Sequence, residues 1–253
     1  VIYFRKLKVK RMIKLVIVGY GKMGKEIESV LDTKKFTLTG RYDIENPVQT
    51  HLTGKPDVAI EFTTPAAAVD NIKFLASKGI NVVCGTTGWY NRMDEVKEAV
   101  TKNNTGLIFA TNFSVGVNIF FQLVKGASQW LNSFEQYDVS IHEIHHNQKL
   151  DRPSGTSIKL AEILLAGITR KTGVNVNGQS ERPRKELIEL TSSRLGNIFG
   201  NHLVTIDSPS DTIKFEHSAK SRRGFAEGAL LAAKFIHQLK GIFKFEEIFT
   251  NLI

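Results

Sequence analysis

The chain has 253 residues, 34 Lys and Arg against 25 Asp and Glu for a net charge of +9, and one cysteine. Hydrophobic residues at 42% and charged residues at 23% exclude a disordered or collagen-like polymer. No run of about 18 apolar residues is present to cross a membrane, and the lone Cys84 excludes a disulfide scaffold and a multi-cysteine zinc site while fitting a reducing, cytoplasmic setting.

The positive excess invites a nucleic acid or an acidic ligand as partner, but it is uneven. Arg5, Lys6, Lys8, Lys10 and Arg11 crowd the first eleven residues, which carry no acid; the remainder holds 29 basic residues against 25 acidic. Those eleven lack the apolar core and cleavage site of a secretory signal. Met12 precedes an apolar run, so the folded unit is expected to begin there. Residues 1–11 read as a disordered basic leader or as an upstream start codon carried into the protein.

Residues 13–18, β-branched and apolar, predict a first strand buried on both faces. A helical pattern follows through Ile27, Val30 and Leu31, then a strand from Phe36 to Gly40 ending near Asp43, and a third at 57–62. Pro47 and Pro56 bracket a polar stretch between these two strands that is too short for a full crossover helix. Thr64, Pro65 and Gly79 punctuate the next helix as cap, first residue and stop. A strand at 81–84, a helix at 91–102 and a strand at 107–110 complete an alternation that predicts a parallel, doubly wound sheet.

The pattern then changes to a long amphipathic helix at 115–134, an alternating strand at 138–145, a helix at 156–169 and a polar, turn-rich stretch at 170–185. Strands at 187–192, 202–206 and 212–217, joined by short turns, predict antiparallel pairing. A final helix at 225–239 precedes an apolar tail, Phe243-x-Phe245-x-x-Ile248-Phe249, read as packing. The fold class expected is α/β, with a nucleotide-binding half and a substrate half.

Two constellations can carry chemistry. Gly19-x-Gly21-x-x-Gly24 follows a strand and opens a helix, where glycines permit a tight turn and close approach of a pyrophosphate to free N–H groups. Lys22 and Lys25 add charge there. Asp43, 19 residues beyond Gly24, suits a ribose hydroxyl and would repel a 2′-phosphate; Ile44 supplies no cation beside it, although Arg41 is close, and the balance leans to NADH over NADPH. The second constellation runs from His142 to Ser157. A metal reading of His142, His145 and His146 is set aside, because a strand running into a loop does not converge an i, i+4 pair. Instead, Gly155 and Thr156 open a helix whose N–H groups and hydroxyl can hold a carboxylate, while His145, His146 and Lys149 supply acids and a fixed charge.

Gly85-Thr86-Thr87-Gly88-Trp89, Ala110-Thr111-Asn112-Phe113-Ser114-Val115-Gly116-Val117-Asn118 and Glu143-Ile144-His145-His146-x-x-Lys149-x-Asp151-x-Pro153-Ser154-Gly155-Thr156 closely resemble the dihydrodipicolinate (4-hydroxy-tetrahydrodipicolinate) reductase family. The resemblance runs from about Met12 to the C-terminus and includes Arg194-x-Gly196-x-x-x-Gly200-x-His202 and Ser221-Arg222-x-x-Phe225-Ala226-x-Gly228-Ala229. It implies a Rossmann-type domain over 12–116 and 223–253. It also implies a smaller mixed α/β domain over 117–222 for substrate binding and assembly of a homotetramer. The implied activity is NAD(P)H-dependent reduction of a small cyclic dicarboxylate in the diaminopimelate–lysine pathway.

Carried across by motif, His145 is a proton donor or acceptor, Lys149 the proton donor, and His146, Gly155 and Thr156 bind substrate. The dinucleotide contacts Gly19, Tyr20, Gly21, Lys22, Met23, Gly24, Asp43, Gly85, Thr86, Thr87, Ala110, Thr111, Asn112 and Phe113, with Arg222 and Phe225 near it. Two departures stand out. Many members have a longer glycine turn with Arg before Met-Gly, and Arg152 stands where a small residue is common. An aspartate-semialdehyde dehydrogenase would need a nucleophilic cysteine, whereas Cys84 reads as a buried hydrophobe. A nucleic-acid-binding regulator would need a helix-turn-helix or similar reader, and none is legible. No nucleic acid, membrane or metal is expected as a partner.

Overall fold

Runs of β-branched residues alternating with amphipathic segments build the first sheet, and its order decides where a ligand can sit. The structure, a computed structural model, describes residues 11–178 and 184–250. Residues 1–10, most of the basic leader, lie outside the described residues; Arg11 pairs with Asp57 at 2.8 Å.

From the N-terminus the elements are β1 (Ile13–Val18), α1 (Lys22–Ser29), β2 (Phe36–Tyr42), the single turn α2 (Val48–His51), β3 (Val58–Glu61), α3 (Pro65–Ser77), β4 (Asn81–Cys84), α4 (Met93–Lys102) and β5 (Gly106–Phe109). Then come α5 (Val115–Ser133), β6 (Asp138–His145), α6 (Gly155–Gly167), β7 (Gly173–Val176), β8 (Leu187–Arg194), β9 (Asn201–Asp207) and β10 (Thr212–Ser218). The chain closes with α7 (Arg223–Ile236), β11 (Gly241–Lys244) and α8 (Phe245–Thr250).

The chain divides into two compact units, one holding the residues up to Val115 and from Arg223 on, the other Gly116–Arg222. In the first, six parallel strands lie in the order β11-β5-β4-β3-β1-β2. Leu15 and Ile17 of β1 enter a core with Ile27 of α1 and Ala229 and Ala233 of α7; Val16 and Val18 enter the opposite core with Val69 and Ile72 of α3. Burial on both faces is why the strand is apolar throughout. In the second unit, five strands lie in the order β10-β9-β6-β8-β7. Alternate residues Val139 and Ile141 of β6, Ile188 and Leu190 of β8, and Val204 and Ile206 of β9 pack with Phe121 and Val124 of α5 and Leu160 and Leu164 of α6.

Several expectations require correction. The turn-rich stretch 170–185 contains β7, a short strand that pairs parallel with β8. β8 does not pair antiparallel with β9. It lies parallel to β6, and β6 separates the two, so only β9 and β10 form a hairpin, around a turn closed by Ser208 N–H to Asp211 C=O at 2.9 Å. The apolar tail is more than packing. β11 adds a sixth parallel strand beside β5, and α8 buries Phe245 and Ile248. Thr64 occupies the N-cap position of α3 without a capping side-chain bond.

Candidate active site

In the parallel-sheet unit the strand order reverses at β1, which has β2 on one side and β3 on the other. Crevices at the carboxyl ends of such a pair are where open α/β sheets bind ligands. The turn after β1 carries the three glycines, and their reasons differ. Gly19 has φ +95°, and a Cβ there would stand 2.0 Å from the Phe62 carbonyl oxygen; one on Gly24 would stand 2.5 Å from the Gly19 carbonyl oxygen. The fold itself demands both. A Cβ on Gly21 would meet nothing within 4 Å, so the chain alone does not demand glycine there. Gly21 caps α1 with no side-chain bond to its first turn, which leaves N–H groups for an anion.

That turn faces Phe62, Thr63 and Pro65 after β3 and Gly85, Thr86 and Thr87 after β4 across one cleft, which Lys22 and Met23 also line. Thr63 N–H donates to Thr86 Oγ1 at 2.7 Å, and the Phe62 ring lies where a Gly85 Cβ would be, 2.1 Å away. Sequence reasoning missed Phe62 and Thr63, although they occupy the turn after β3 equivalent to the glycine turn after β1. After β5, Ala110 is buried and Thr111 exposed, Asn112 Oδ1 accepts from Ser114 N–H at 2.8 Å, and the Phe113 ring packs on Phe245 at 5.0 Å. Gly228 of α7 lets the Phe113 carbonyl approach, since a Cβ would fall 1.7 Å from its oxygen. Phe225 is half-buried in the first turn of α7.

Tyr20 stands apart from that cleft lining, toward β2. Its hydroxyl donates to Glu28 Oε2 at 2.5 Å, Arg41 Nε donates to the same oxygen at 2.7 Å, and Arg41 Nη2 takes Glu28 Oε1. The Arg41 guanidinium, with Tyr20, holds the Glu28 carboxyl at about 2. Asp43, one residue beyond β2, accepts from Glu45 and Asn46 N–H at 3.0 Å on Oδ1. Cys84 is buried with Sγ 3.1 Å from Glu61 Oε2. Burial, and then the Glu61 charge, push its thiol well up, so it remains a protonated, unreactive group.

In the mixed-sheet unit, the inward row of β6 runs Val139, Ile141, Glu143, His145, turning from apolar to ionisable at its end. Glu143 has no solvent exposure. Its oxygens accept from Ser154 N–H at 3.1 Å, Ser157 Oγ at 2.7 Å and Arg194 Nη1 at 3.4 Å. Burial pushes this carboxyl up, but the Ser154 and Ser157 donors and the His145 charge outweigh it and hold it at about 2. His145 Nδ1 lies 3.6 Å and His202 Nε2 3.8 Å from Oε2. Burial lowers both imidazoles, His202 to about 3, so both are neutral near pH 7. The rings meet edge to face at 5.0 Å, and Gly200 lets the backbone pass, since a Cβ would stand 3.0 Å from His145 Nε2.

The loop after β6 carries Lys149, whose Nζ donates to both Asp151 oxygens at 2.7 and 2.8 Å. Arg194 braces this loop by donating to the Lys149 carbonyl at 3.2 Å and the Asp151 carbonyl at 2.5 Å. His146 Nδ1 is buried with no hydrogen-bond partner. Ser154 caps α6, accepting from Ser157 N–H. Gly155 opens the helix with nothing within 4 Å of a Cβ, and Thr156 follows in the first turn. The Arg222 guanidinium lies 5.6 Å from the Phe199 ring centroid. His142, on the other face of β6, bonds Thr191 Oγ1 at 2.7 Å. Donor atoms of Glu143, His145 and His202 lie within 4.8 Å of one another, but a cation there would have to displace Ser154 and Ser157 and face the Arg194 guanidinium. Sequence reasoning assigned no role to Glu143, Arg194 or His202. Glu143 was accessible to it, two residues before His145 on one strand face.

Comparison with known proteins places the chain in a family. Residues 13–113 match the family model described as dihydrodipicolinate reductase, N-terminus, and residues 116–249 that described as dihydrodipicolinate reductase, C-terminus. A 4-hydroxy-tetrahydrodipicolinate reductase of Christiangramia forsetii is 36% identical over 94% of this chain and 98% of its own length. One from Methanocaldococcus jannaschii is 37% identical over 74% of this chain and 68% of its own. Among solved structures, dipicolinate-bound dihydrodipicolinate reductase from Paenisporosarcina shares the fold at TM-score 0.75 and 23% identity, over 94% of this chain and 100% of that one. Aspartate semialdehyde dehydrogenase II from Vibrio cholerae shares it more loosely, at TM-score 0.51 and 10% identity over 90% and 99%. The chain is a nicotinamide-dependent oxidoreductase of the dihydrodipicolinate reductase family.

Proposed function

We propose that this chain reduces 4-hydroxy-tetrahydrodipicolinate to tetrahydrodipicolinate in diaminopimelate–lysine biosynthesis. The observation that carries the reading is the family match over both halves, joined to a His145-His146-x-x-Lys149 loop that leads into the Ser154-capped N-terminus of α6. The residues up to Val115 and from Arg223 on form the dinucleotide-binding domain. The remainder binds substrate and assembles a homotetramer through the sheet face turned away from α5 and α6. Among the described residues no helix is long and apolar enough to cross a membrane, and the single buried thiol suits the cytoplasm.

The glycine turn fits a pyrophosphate, because Gly21 leaves room and α1 leaves uncapped N–H groups. Lys22 adds positive charge, and Tyr20 and Met23 complete the turn. Asp43 accepts from a ribose hydroxyl with the oxygen its own turn leaves over. Gly85, Thr86, Thr87 and Ala110, Thr111, Asn112, Phe113 border the nicotinamide end, with Arg222 and Phe225 near it. The bound nicotinamide supplies a hydride. NADH is preferred to NADPH, because Asp43 repels a 2′-phosphate and Arg41 is held by Glu28.

Within the other unit, the first-turn N–H groups of Gly155 and Thr156 and the Thr156 hydroxyl hold one substrate carboxylate, and His146 and Lys149 meet the other. The dianion competes with Asp151 for the Lys149 ammonium. After the hydroxyl leaves as water and hydride reaches the ring, Lys149 delivers a proton to the neighbouring carbon. His145, kept neutral by burial, accepts or relays a proton beside it. Lys149→Ala tests this. Turnover should fall about 10²–10⁴-fold while dinucleotide still quenches or shifts the protein fluorescence as in wild type. Wild-type-like turnover in that variant overturns the assignment.

A further inference from the structure

We propose that Glu28 sets the dinucleotide preference by holding Arg41 away from a 2′-phosphate, an inference that rests on the dinucleotide reading of this unit. At the end of the second strand of such a sheet, an acid takes the ribose hydroxyls, and a nearby arginine admits a 2′-phosphate. This chain has both: Arg41 and Asp43 are two residues apart, and Arg41 lies within β2. Arg41 is therefore the nearest cation along the chain to the 2′ position, and by itself it would admit NADPH.

It is not by itself. Glu28 reaches across from α1 and takes two guanidinium nitrogens, Nε at 2.7 Å and Nη2, in the fork geometry that also matches a phosphate. The Tyr20 hydroxyl donates to the same carboxylate at 2.5 Å, and the Arg41 guanidinium lies 5.7 Å from the Tyr20 ring centroid. One carboxylate thus ties the glycine turn, α1 and the end of β2 together. An incoming 2′-phosphate must displace a partner that is already in place. The pair is open to solvent, Arg41 at 46% and Glu28 at 30% side-chain exposure, so a ligand can reach it and the fold does not depend on it.

The test compares wild type, Glu28→Gln and Glu28→Gln/Arg41→Ala by direct titration with NADH, NADPH, 5′-ADP and 2′,5′-ADP, followed by initial rates with each reduced dinucleotide. Glu28→Gln keeps the side-chain shape and removes the charge. The ratio of NADPH to NADH affinity should rise about tenfold, the worth of one charge-assisted guanidinium–phosphate contact, and the double variant should lose that gain. Wild type should bind 5′-ADP at least as well as 2′,5′-ADP. An unchanged ratio in Glu28→Gln, a gain that survives without Arg41, or tighter wild-type binding of 2′,5′-ADP overturns the inference while leaving the reductase reading intact. Wild-type protein that binds neither dinucleotide overturns both.

Discussion

The two units prepare for anions by opposite means. In the parallel-sheet unit the cleft floor is main chain, made available by the absence of side chains at Gly19, Gly21 and Gly24, and the charged pair beside the turn, Arg41 and Glu28, stays at the surface, while Glu61 is buried against Cys84. In the mixed-sheet unit the polar centre is side chain and buried: Glu143, His145 and His202, fixed by Ser154, Ser157 and Arg194. Backbone N–H groups do not titrate, so the first arrangement is sensitive to added volume and insensitive to pH. Buried ionisable side chains resist neither loss of a partner nor a change of proton activity.

The largest expected effect breaks the first region by volume. Gly228→Ala puts a Cβ 1.7 Å from the Phe113 carbonyl oxygen. It should destabilise the protein by about 3 kcal/mol or more, since backbone must move. Gly21→Ala is its counterpart. Nothing within the chain meets that Cβ, so its melting temperature should match wild type while its dinucleotide affinity drops. Melting curves with and without NADH separate the two. A Gly21→Ala protein that melts early would mean that the turn is glycine for the fold's sake and not for a ligand's.

The same contrast explains what was legible in the sequence. β1 to β5 follow from apolar runs and glycine or proline punctuation, and the glycine turn follows from local spacing, because strand, turn and helix are contiguous there. The Glu143 centre was not legible, because register assembles it. Glu143 lies opposite His202 across β6 and β9, and His145 opposite Arg194 across β6 and β8. Those partners are some 50 to 60 residues apart, and nothing local fixes which strands become neighbours. The parallel pairing of β8 was missed for the same reason. β7 and β11 were missed because four-residue strands carry too little periodicity to stand out from their surroundings. The Glu28–Arg41 pair spans only α1 and β2, yet which charged residue faces which depends on how the helix sits on the sheet.

The second region is sharpened by removing one charge. Glu143→Gln keeps shape but turns an amide N–H₂ toward Ser154 N–H, Ser157 Oγ and Arg194, setting donor against donor. A loss of about 2 kcal/mol is expected in urea unfolding. The same change removes the carboxylate that favours protonated His145, so the pH at which His145 takes a proton should fall. Its C2-proton shift in an NMR titration reads this directly. An unmoved titration would mean that the 3.6 Å contact carries no electrostatic coupling and that Glu143 serves only to hold Ser154 and Ser157 at the start of α6.

The smallest expected effect is in the pH dependence of stability. His202 takes a proton at about 3 in the fold and near 6.5 when unfolded, because burial opposes its charge. The unfolded chain therefore binds the extra proton as pH falls from 6.5 toward 3, and stability must fall across that window. Glu143, held at about 2 against its ordinary 4.5, adds a second loss, but only below 4.5. Between pH 6.5 and 4.5 the decline belongs to histidines that burial lowers, His145 and His217 in the same unit as His202 and His237 in the parallel-sheet unit. His202→Gln should make that part of the curve shallower by about 1 kcal/mol per pH unit and leave the part below 4.5 steep. Urea unfolding at half-unit steps between pH 7 and 3 measures both limbs. If the variant and wild type decline in parallel above pH 4.5, His202 is already solvated in the native state, and the side-chain centre is as open to water as the glycine cleft.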